Sequence, residues 1–206
     1  MTDNKWDQLA SREVIDKAIN SLTQNGITAV LVETNEDAKK KVIELLPGGA
    51  EAMNMTSVTL DSIGVSKEIL ESGRYNAVRN KLNTMDRKTQ SIEMLKLGAA
   101  PEWAIGSVHA VTEDGHVFIA SNTGSQLPAY VYGSAHVIWI VGAQKIVSNN
   151  ENAMKRIYEY VLPLESERAH KAYGVEGSHV SKLLMIDREV QPGRVAMIIV
   201  NEKLGF

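Results

Sequence analysis

Hydroxyl and amide side chains cluster in one short stretch of the chain, after a run of β-branched and apolar residues that predicts a strand. The stretch holds one glycine among five such side chains: Ser121, Asn122, Thr123, Gly124, Ser125 and Gln126. A loop of this kind can direct backbone N–H groups and hydroxyls at an anion, helped by the positive end of a following helix. An ordinary turn is the alternative, in which Gly124 supplies a positive φ and Ser125 caps the helix. The sequence leaves both interpretations open.

A second hydroxyl cluster, formed by Thr56, Ser57 and Thr59, follows the strand predicted over residues 50–55. Helix capping is the simpler interpretation of these residues. If both clusters lie at the same edge of one sheet, however, they form a two-sided pocket for a small anionic metabolite. Lys145, near the end of a further strand, is either a surface lysine or the partner of a carboxylate or phosphate on that ligand.

The acid/base candidates lie beside a predicted hairpin turn. Asp114-Gly115 favours a type I′ turn between strands at 106–112 and 116–121. In that register Glu113 pairs with His116, and these two residues are the predicted catalytic groups.

A metal site that adds His109 to this pair is rejected on geometry. Four residues of strand separate His109 from Glu113 by roughly 13 Å, whereas metal ligands must lie about 2 Å from one ion. We therefore predict no metal ligands.

Strands alternate with helices along the rest of the chain, which predicts an α/β fold with a mainly parallel sheet and helices on both faces. The continuous apolar run at 136–141 predicts a central strand. A helix beginning at Asn150 is expected to stop at Pro163. Two C-terminal strands, 182–187 and 194–200, are joined through Pro192-Gly193. The antiparallel part of the sheet is expected at 104–121 or at this C-terminal pair.

Composition narrows the function classes. The 206 residues suggest a single domain, 1–206, and the formal charge of −3 without a basic face argues against nucleic acid as a partner. A leader segment or a membrane-length apolar stretch is not found, so a cytoplasmic location is expected. The chain has no cysteine, which excludes thiolate catalysis and cysteine-held iron–sulfur clusters within it. Any redox centre must come from a cofactor, which the sequence does not identify, or from a partner.

Several segments resemble the LUD domain found in LutC-type lactate-utilization proteins. The resemblance covers most of the chain, and its sharpest pieces are GSVHAVTEDG at 106–115, GSQLPAY at 124–130, VGAQKIV at 141–147 and the terminal Leu204-Gly205-Phe206. The chain departs from many members at Glu113-Asp114-Gly115-His116, where they have Glu-Thr-Gly-Thr, and it lacks their Ser-Gly-Pro-Ser segment.

The resemblance implies a Rossmann-like fold, similar to ribose-5-phosphate isomerase, glucosamine-6-phosphate deaminase and CoA transferases. It also implies a component of lactate oxidation to pyruvate, in which an iron–sulfur protein is a separate partner. The family supplies no settled catalytic residue to transfer. Two alternatives stay open: a non-enzymatic docking or regulatory subunit for a redox partner, and an isomerase-like or CoA-transferase-like enzyme suggested by fold analogy alone. A homo-oligomer is compatible with either.

Overall fold

Two sheets organise the computed structural model, which describes residues 5–206. Within that range the strands are β1 Thr28–Val32, β2 Glu51–Asn54, β3 Asn76–Ala77, β4 Trp103–Gly106, β5 Ala110–Thr112, β6 Val117–Ser121, β7 His136–Gly142, β8 Ile146–Val147, β9 Lys182–Ile186 and β10 Val195–Val200. The larger sheet is parallel, with strand order β1-β10-β7-β4-β2-β3. The smaller sheet has the order β8-β5-β6-β9 and is mixed. The predicted α/β fold class is confirmed.

Helices cover both faces of the larger sheet. The α-helices of the described residues are α1 Arg12–Gln24, α2 Asn35–Leu45, α3 Val58–Ser62, α4 Val65–Glu71, α5 Val78–Thr84, α6 Ser91–Ala99, α7 Asn150–Arg156 and α8 Leu162–Tyr173. Strand β7 is central, between β10 and β4, and its side chains alternate between two apolar cores. Trp139 packs in the core that includes α1, whereas Ile138 and Ile140 pack in the core that includes α2 and α4. This two-sided burial explains why the run is apolar at nearly every position.

The predicted strand over 106–112 is divided between the two sheets. Its first residue, Gly106, ends β4 in the larger sheet, and Ala110 begins β5 in the smaller one. Ser107, Val108 and His109 cross between them. The two C-terminal strands are also separated, because β9 pairs with β6 and β10 pairs with β1 and β7. Pro192-Gly193 therefore connects two sheets and does not close a hairpin.

The hairpin between β5 and β6 differs from the prediction by one residue in register. Val111 pairs with Val117, so Thr112 lies opposite His116 and the loop has three residues. Gly115 has φ +80° and donates its N–H to the Thr112 carbonyl. A three-residue loop with a left-handed glycine is as compatible with Asp-Gly as the predicted type I′ turn. The predicted pairing of Glu113 with His116 is therefore wrong.

The helix that begins at Asn150 does not stop at Pro163. A π-helical turn, Ile157–Val161, joins α7 to α8, and Pro163 lies in the first turn of α8. The proline directly follows the π-helical turn, where the regular hydrogen-bond ladder is already interrupted, so its missing N–H is accommodated without ending the helix. α8 continues to Tyr173 and ends at Gly174, whose φ is +68°. In the part of the chain that the structure describes, no helix combines the length and apolarity needed to cross a membrane.

Candidate functional site

A cleft of about 1420 Å³ opens where the carboxyl edge of the larger sheet faces the smaller sheet. Its walls come from the segments that follow β2, β4 and β6, from α5 and α6 on one side, and from the π-helical turn and α8 on the other. The carboxyl ends of parallel strands are the usual location for ligands in α/β sheets. The cleft therefore lies where the strand pattern predicts a binding site.

All nine residues predicted to bind a ligand line this one cleft. They are Thr56, Ser57, Thr59, Ser121, Thr123, Gly124, Ser125, Gln126 and Lys145. The two hydroxyl clusters thus converge, although they lie more than sixty residues apart in the sequence. Whether these residues bind a ligand stays a prediction.

The hydroxyls of the 121–126 loop bond mainly to one another. Ser121 Oγ donates to Gln126 Oε1 at 2.9 Å and accepts the N–H of Gly124 at 2.8 Å. Thr123 Oγ1 and Ser125 Oγ are 3.2 Å apart, and Gly124 has the positive φ, +85°, of an ordinary turn. This loop is a self-supporting wall of the cleft, because few of its polar groups are left to bind a ligand.

Lys145 lies at the bottom of the cleft. It belongs to the cleft wall, yet only 2% of its surface is exposed, so the interpretation as a surface lysine is wrong. Its Nζ donates to Thr59 Oγ1 at 3.1 Å, to Ser107 Oγ at 3.1 Å and to the Val108 carbonyl at 3.2 Å. A short 3₁₀ turn, Ala143–Lys145, follows the central strand β7 and ends at this lysine.

The segment 204–206 supports the hydroxyl of Thr59. Thr59 Oγ1 is 3.3 Å from the carbonyl oxygen of Leu204, which also accepts a hydrogen bond from Gln144 Nε2 at 2.9 Å. Gly205 has φ +60°, and a Cβ at that position would lie 2.5 Å from Thr59 Oγ1. Only glycine therefore allows the segment to approach this closely.

Two more basic side chains lie near Lys145, a partly buried histidine and a fully buried arginine. His109 lines the cleft, and its Nδ1 accepts the N–H of Ala120 at 3.1 Å, so a neutral ring carries its proton on Nε2. Arg156 is 0% exposed and donates from Nη1 to the His109 carbonyl. Its Nε and Nη2 find no hydrogen-bond partner in residues 5–206.

Burial lowers the pKa of each basic group at this end of the cleft. Burial, and secondarily the charge of Arg156, holds the pKa of Lys145 well below its usual value. Burial, followed by the charges of Lys145 and Arg156, lowers the pKa of His109 to about 3. Burial also lowers the pKa of Arg156 to about 10. No carboxylate of the described chain forms an ion pair with Lys145 or Arg156, although the charge of Asp7 acts on Arg156 from farther away and partly opposes the fall in its pKa. A buried charge without a close partner costs several kcal/mol.

The predicted catalytic pair, Glu113 and His116, is not part of the cleft wall. Glu113 Oε2 accepts a hydrogen bond from Lys17 Nζ at 2.9 Å. His116 Nδ1 is 2.9 Å from Asn150 Oδ1, and its Nε2 is 3.9 Å from Asp187 Oδ1. The two side chains thus have separate partners outside the cleft. Across the residues that can be described, no three His, Asp or Glu side chains are grouped to hold a metal ion.

Sequence reasoning missed Ser107 and His109 as members of the site, and Arg156 as the buried residue that bonds to the His109 carbonyl. The signal for the first two was present, since a hydroxyl and an imidazole follow an apolar strand. It was hidden because β4 and β5 were predicted as one strand. Arg156 carried no signal, because an arginine on an amphipathic helix is normally solvated.

Comparison with known proteins gives a family and a fold. A family model described as the LUD domain matches residues 15–200. A crystal structure of a DUF162 family protein from Deinococcus radiodurans has a TM-score of 0.58 and 10% sequence identity, and the alignment covers 94% of this chain and 100% of that one. At this identity the likeness concerns the fold alone. A comparison with curated protein sequences returns no match.

Proposed function

This chain belongs to the LUD domain family, and from that premise we propose that its cleft binds a small metabolite carrying a carboxylate, with lactate and pyruvate as the first candidates. The family is linked to lactate utilization. Both candidates are small anions, and the buried end of the cleft is basic. The family's link to lactate and the basic groups of the cleft therefore both favour a small carboxylate as the ligand.

The observation that carries the proposal is the environment of Lys145. Lys145 is 2% exposed, and the hydrogen-bond partners of its amine are two hydroxyls and a carbonyl, none of which has a negative charge. A carboxylate bound in the cleft would accept a hydrogen bond from the amine, and it would supply the counter-charge that the described protein does not whenever the amine is protonated. Electrostatic attraction is strong at such a site, because water, which screens charges, is largely excluded.

Thr59 and Ser107 can contribute hydrogen bonds as well as orient the amine. A hydroxyl has one donor and two acceptor sites, so each can accept from Lys145 and donate to a carboxylate oxygen in place of its long bond to a backbone carbonyl, 3.3 Å for Thr59 and 3.4 Å for Ser107. Arg79 also lines the cleft, and its Nη2 donates to the Asn54 carbonyl at 2.7 Å. Its guanidinium is a second basic group available to an anion, although the carboxylates of Asp61 and Glu165 line the cleft as well.

We also propose that the chain acts in lactate oxidation together with an electron-accepting partner. Oxidation of lactate to pyruvate removes two electrons and two protons. The sequence has no cysteine to hold an iron–sulfur cluster, so an iron–sulfur protein is the proposed acceptor. The test is to purify the chain together with the proteins that bind to it and to measure whether lactate reduces an iron–sulfur protein among them.

Ligand binding is tested by thermal shift with lactate, pyruvate, ribose 5-phosphate and acetyl-CoA. Binding raises the melting temperature by mass action, and we expect a rise with lactate or pyruvate that Lys145→Met abolishes. Lys40→Met is the matched control, because this lysine side chain is 76% exposed. A rise with ribose 5-phosphate or acetyl-CoA alone would replace the proposal by an isomerase-like or transferase-like role. No rise with any compound would favour a docking or regulatory subunit.

A further inference from the structure

We propose that Lys145 is a nucleophilic amine that forms an imine with the carbonyl carbon of a 2-oxo acid bound in the cleft. The inference rests on the proposed function, because it assumes that the cleft binds a carboxylate. It goes further in assigning a covalent step and in selecting 2-oxo acids over hydroxy acids.

The contacts of Lys145 can also be satisfied by a neutral amine. An ammonium would donate to Thr59, Ser107 and the Val108 carbonyl, with no charged group of the described residues to offset it. A neutral amine has two N–H groups and one lone pair, so it donates to two of these partners and one hydroxyl turns away from the lone pair or donates to it. The hydroxyls can adjust, since Thr59 Oγ1 also reaches the Leu204 carbonyl at 3.3 Å and Ser107 Oγ the Val108 carbonyl at 3.4 Å.

Burial supports the same protonation state. The pKa of Lys145 is lowered by burial and by the charge of Arg156, which increases the unprotonated fraction near neutral pH. Desolvated lysines of this kind are the ones that form Schiff bases with carbonyl substrates. Exposed lysines of the chain, such as Lys17 with a side chain 58% exposed, lack this environment, and the pKa of Lys17 is raised by its hydrogen bond to Glu113.

The step balances without an oxidant. The amine lone pair attacks the carbonyl carbon, the C=O π bond breaks, and one proton moves from nitrogen to oxygen to give a carbinolamine. Loss of the hydroxyl group and a proton as water then gives the imine. The hydroxyls of Thr59 and Ser107 contact Nζ and can relay the proton between nitrogen and oxygen.

The selection of 2-oxo acids follows from charge. A protonated imine would return a positive charge to the bottom of the cleft, close to Arg156. The carboxylate of a 2-oxo acid is bonded to the reacting carbon, so it neutralises this charge at short range. A simple aldehyde has no such group, and lactate has no carbonyl carbon to attack.

The test is reductive trapping of the purified protein with sodium borohydride in the presence of pyruvate, acetaldehyde or lactate. Hydride reduces the imine to a stable secondary amine, and the protein gains the mass of pyruvic acid less one oxygen atom. We expect one pyruvate adduct per chain, located at Lys145 by peptide mapping, less with acetaldehyde and none with lactate. Lys145→Arg and Lys145→Met should lose the adduct, and Lys40→Met should keep it.

Further outcomes separate this inference from the binding proposal. If pyruvate raises the melting temperature but no adduct forms at Lys145, the imine is wrong and the binding proposal survives. If pyruvate neither binds nor is trapped, both fail. Trapping at Lys145 should already proceed at neutral pH, because burial lowers the pKa of its amine. A yield that rises only near pH 10, as for an exposed lysine, would overturn the inference.

Discussion

Arg194 and Lys145 are both buried basic side chains, but the protein supplies a counter-charge to only one of them. Arg194, 7% exposed, donates from Nε to Glu189 Oε2 at 2.7 Å and from its terminal nitrogens to the carbonyls of Ser134 and Tyr130. Lys145 is more deeply buried and contacts neutral groups only. The first arrangement is what a structural buried charge requires. The second is incomplete within the described chain, and perturbed, uncompensated groups in clefts are typical of functional sites.

The largest expected effect is on the compensated cation. Replacing Glu189 by Gln leaves the buried guanidinium of Arg194 without its counter-charge, and we expect a loss of about 3–5 kcal/mol in the free energy of unfolding. Urea denaturation followed by circular dichroism measures it. The control is Glu167→Gln, whose side chain is 60% exposed in an ion pair with Lys171. If both variants lost the same small amount of stability, the Glu189 carboxylate would not be needed to compensate Arg194, and the contrast between Arg194 and Lys145 would be wrong.

Lys145→Met should have the opposite sign. It removes an amine whose protonation is disfavoured by burial, and we expect a gain of about 1–2 kcal/mol at pH 7. Between the lowered pKa of Lys145 and its usual value, the unfolded chain binds more protons than the folded one. The stability of the wild type should therefore rise with pH relative to the variant, with a limiting slope of about 1.4 kcal/mol per pH unit. Urea midpoints from pH 6 to 9 test this, and a destabilised variant with no pH trend would contradict it.

The smallest effect is expected at the hairpin. Glu113 forms an ion pair with Lys17 at the surface, so Glu113→Gln should reduce stability by about 1 kcal/mol or less. Since Glu113 is outside the cleft wall, pyruvate affinity should stay unchanged, as titration calorimetry can show. The predicted acid/base role of Glu113 is decided by the same variant once a turnover assay exists, because a catalytic carboxylate would not tolerate the change.

The sequence predicted the parts of the fold whose pattern is local. The apolar run of β7 and the hydroxyls after β2 and β6 could be read directly, because strand ends and turns have their own residue preferences. The burial of Lys145 could not, since it depends on a 3₁₀ turn packed against Thr59, 86 residues away in the sequence. The hairpin register was missed because Asp-Gly suits two loop lengths.

The π-helical turn Ile157–Val161 contains one more residue per turn than regular helix would, and it precedes every residue that α8 contributes to the cleft. The wider turn absorbs most of its extra residue, so deleting one residue there would give a continuous α-helix with α8 close to its present rotation about the helix axis. Glu165 and Arg168 would therefore still face the cleft, whereas the backbone at Ile157 and Val161, which also line it, would narrow to a regular turn. The shape of the cleft would change locally, at the turn itself.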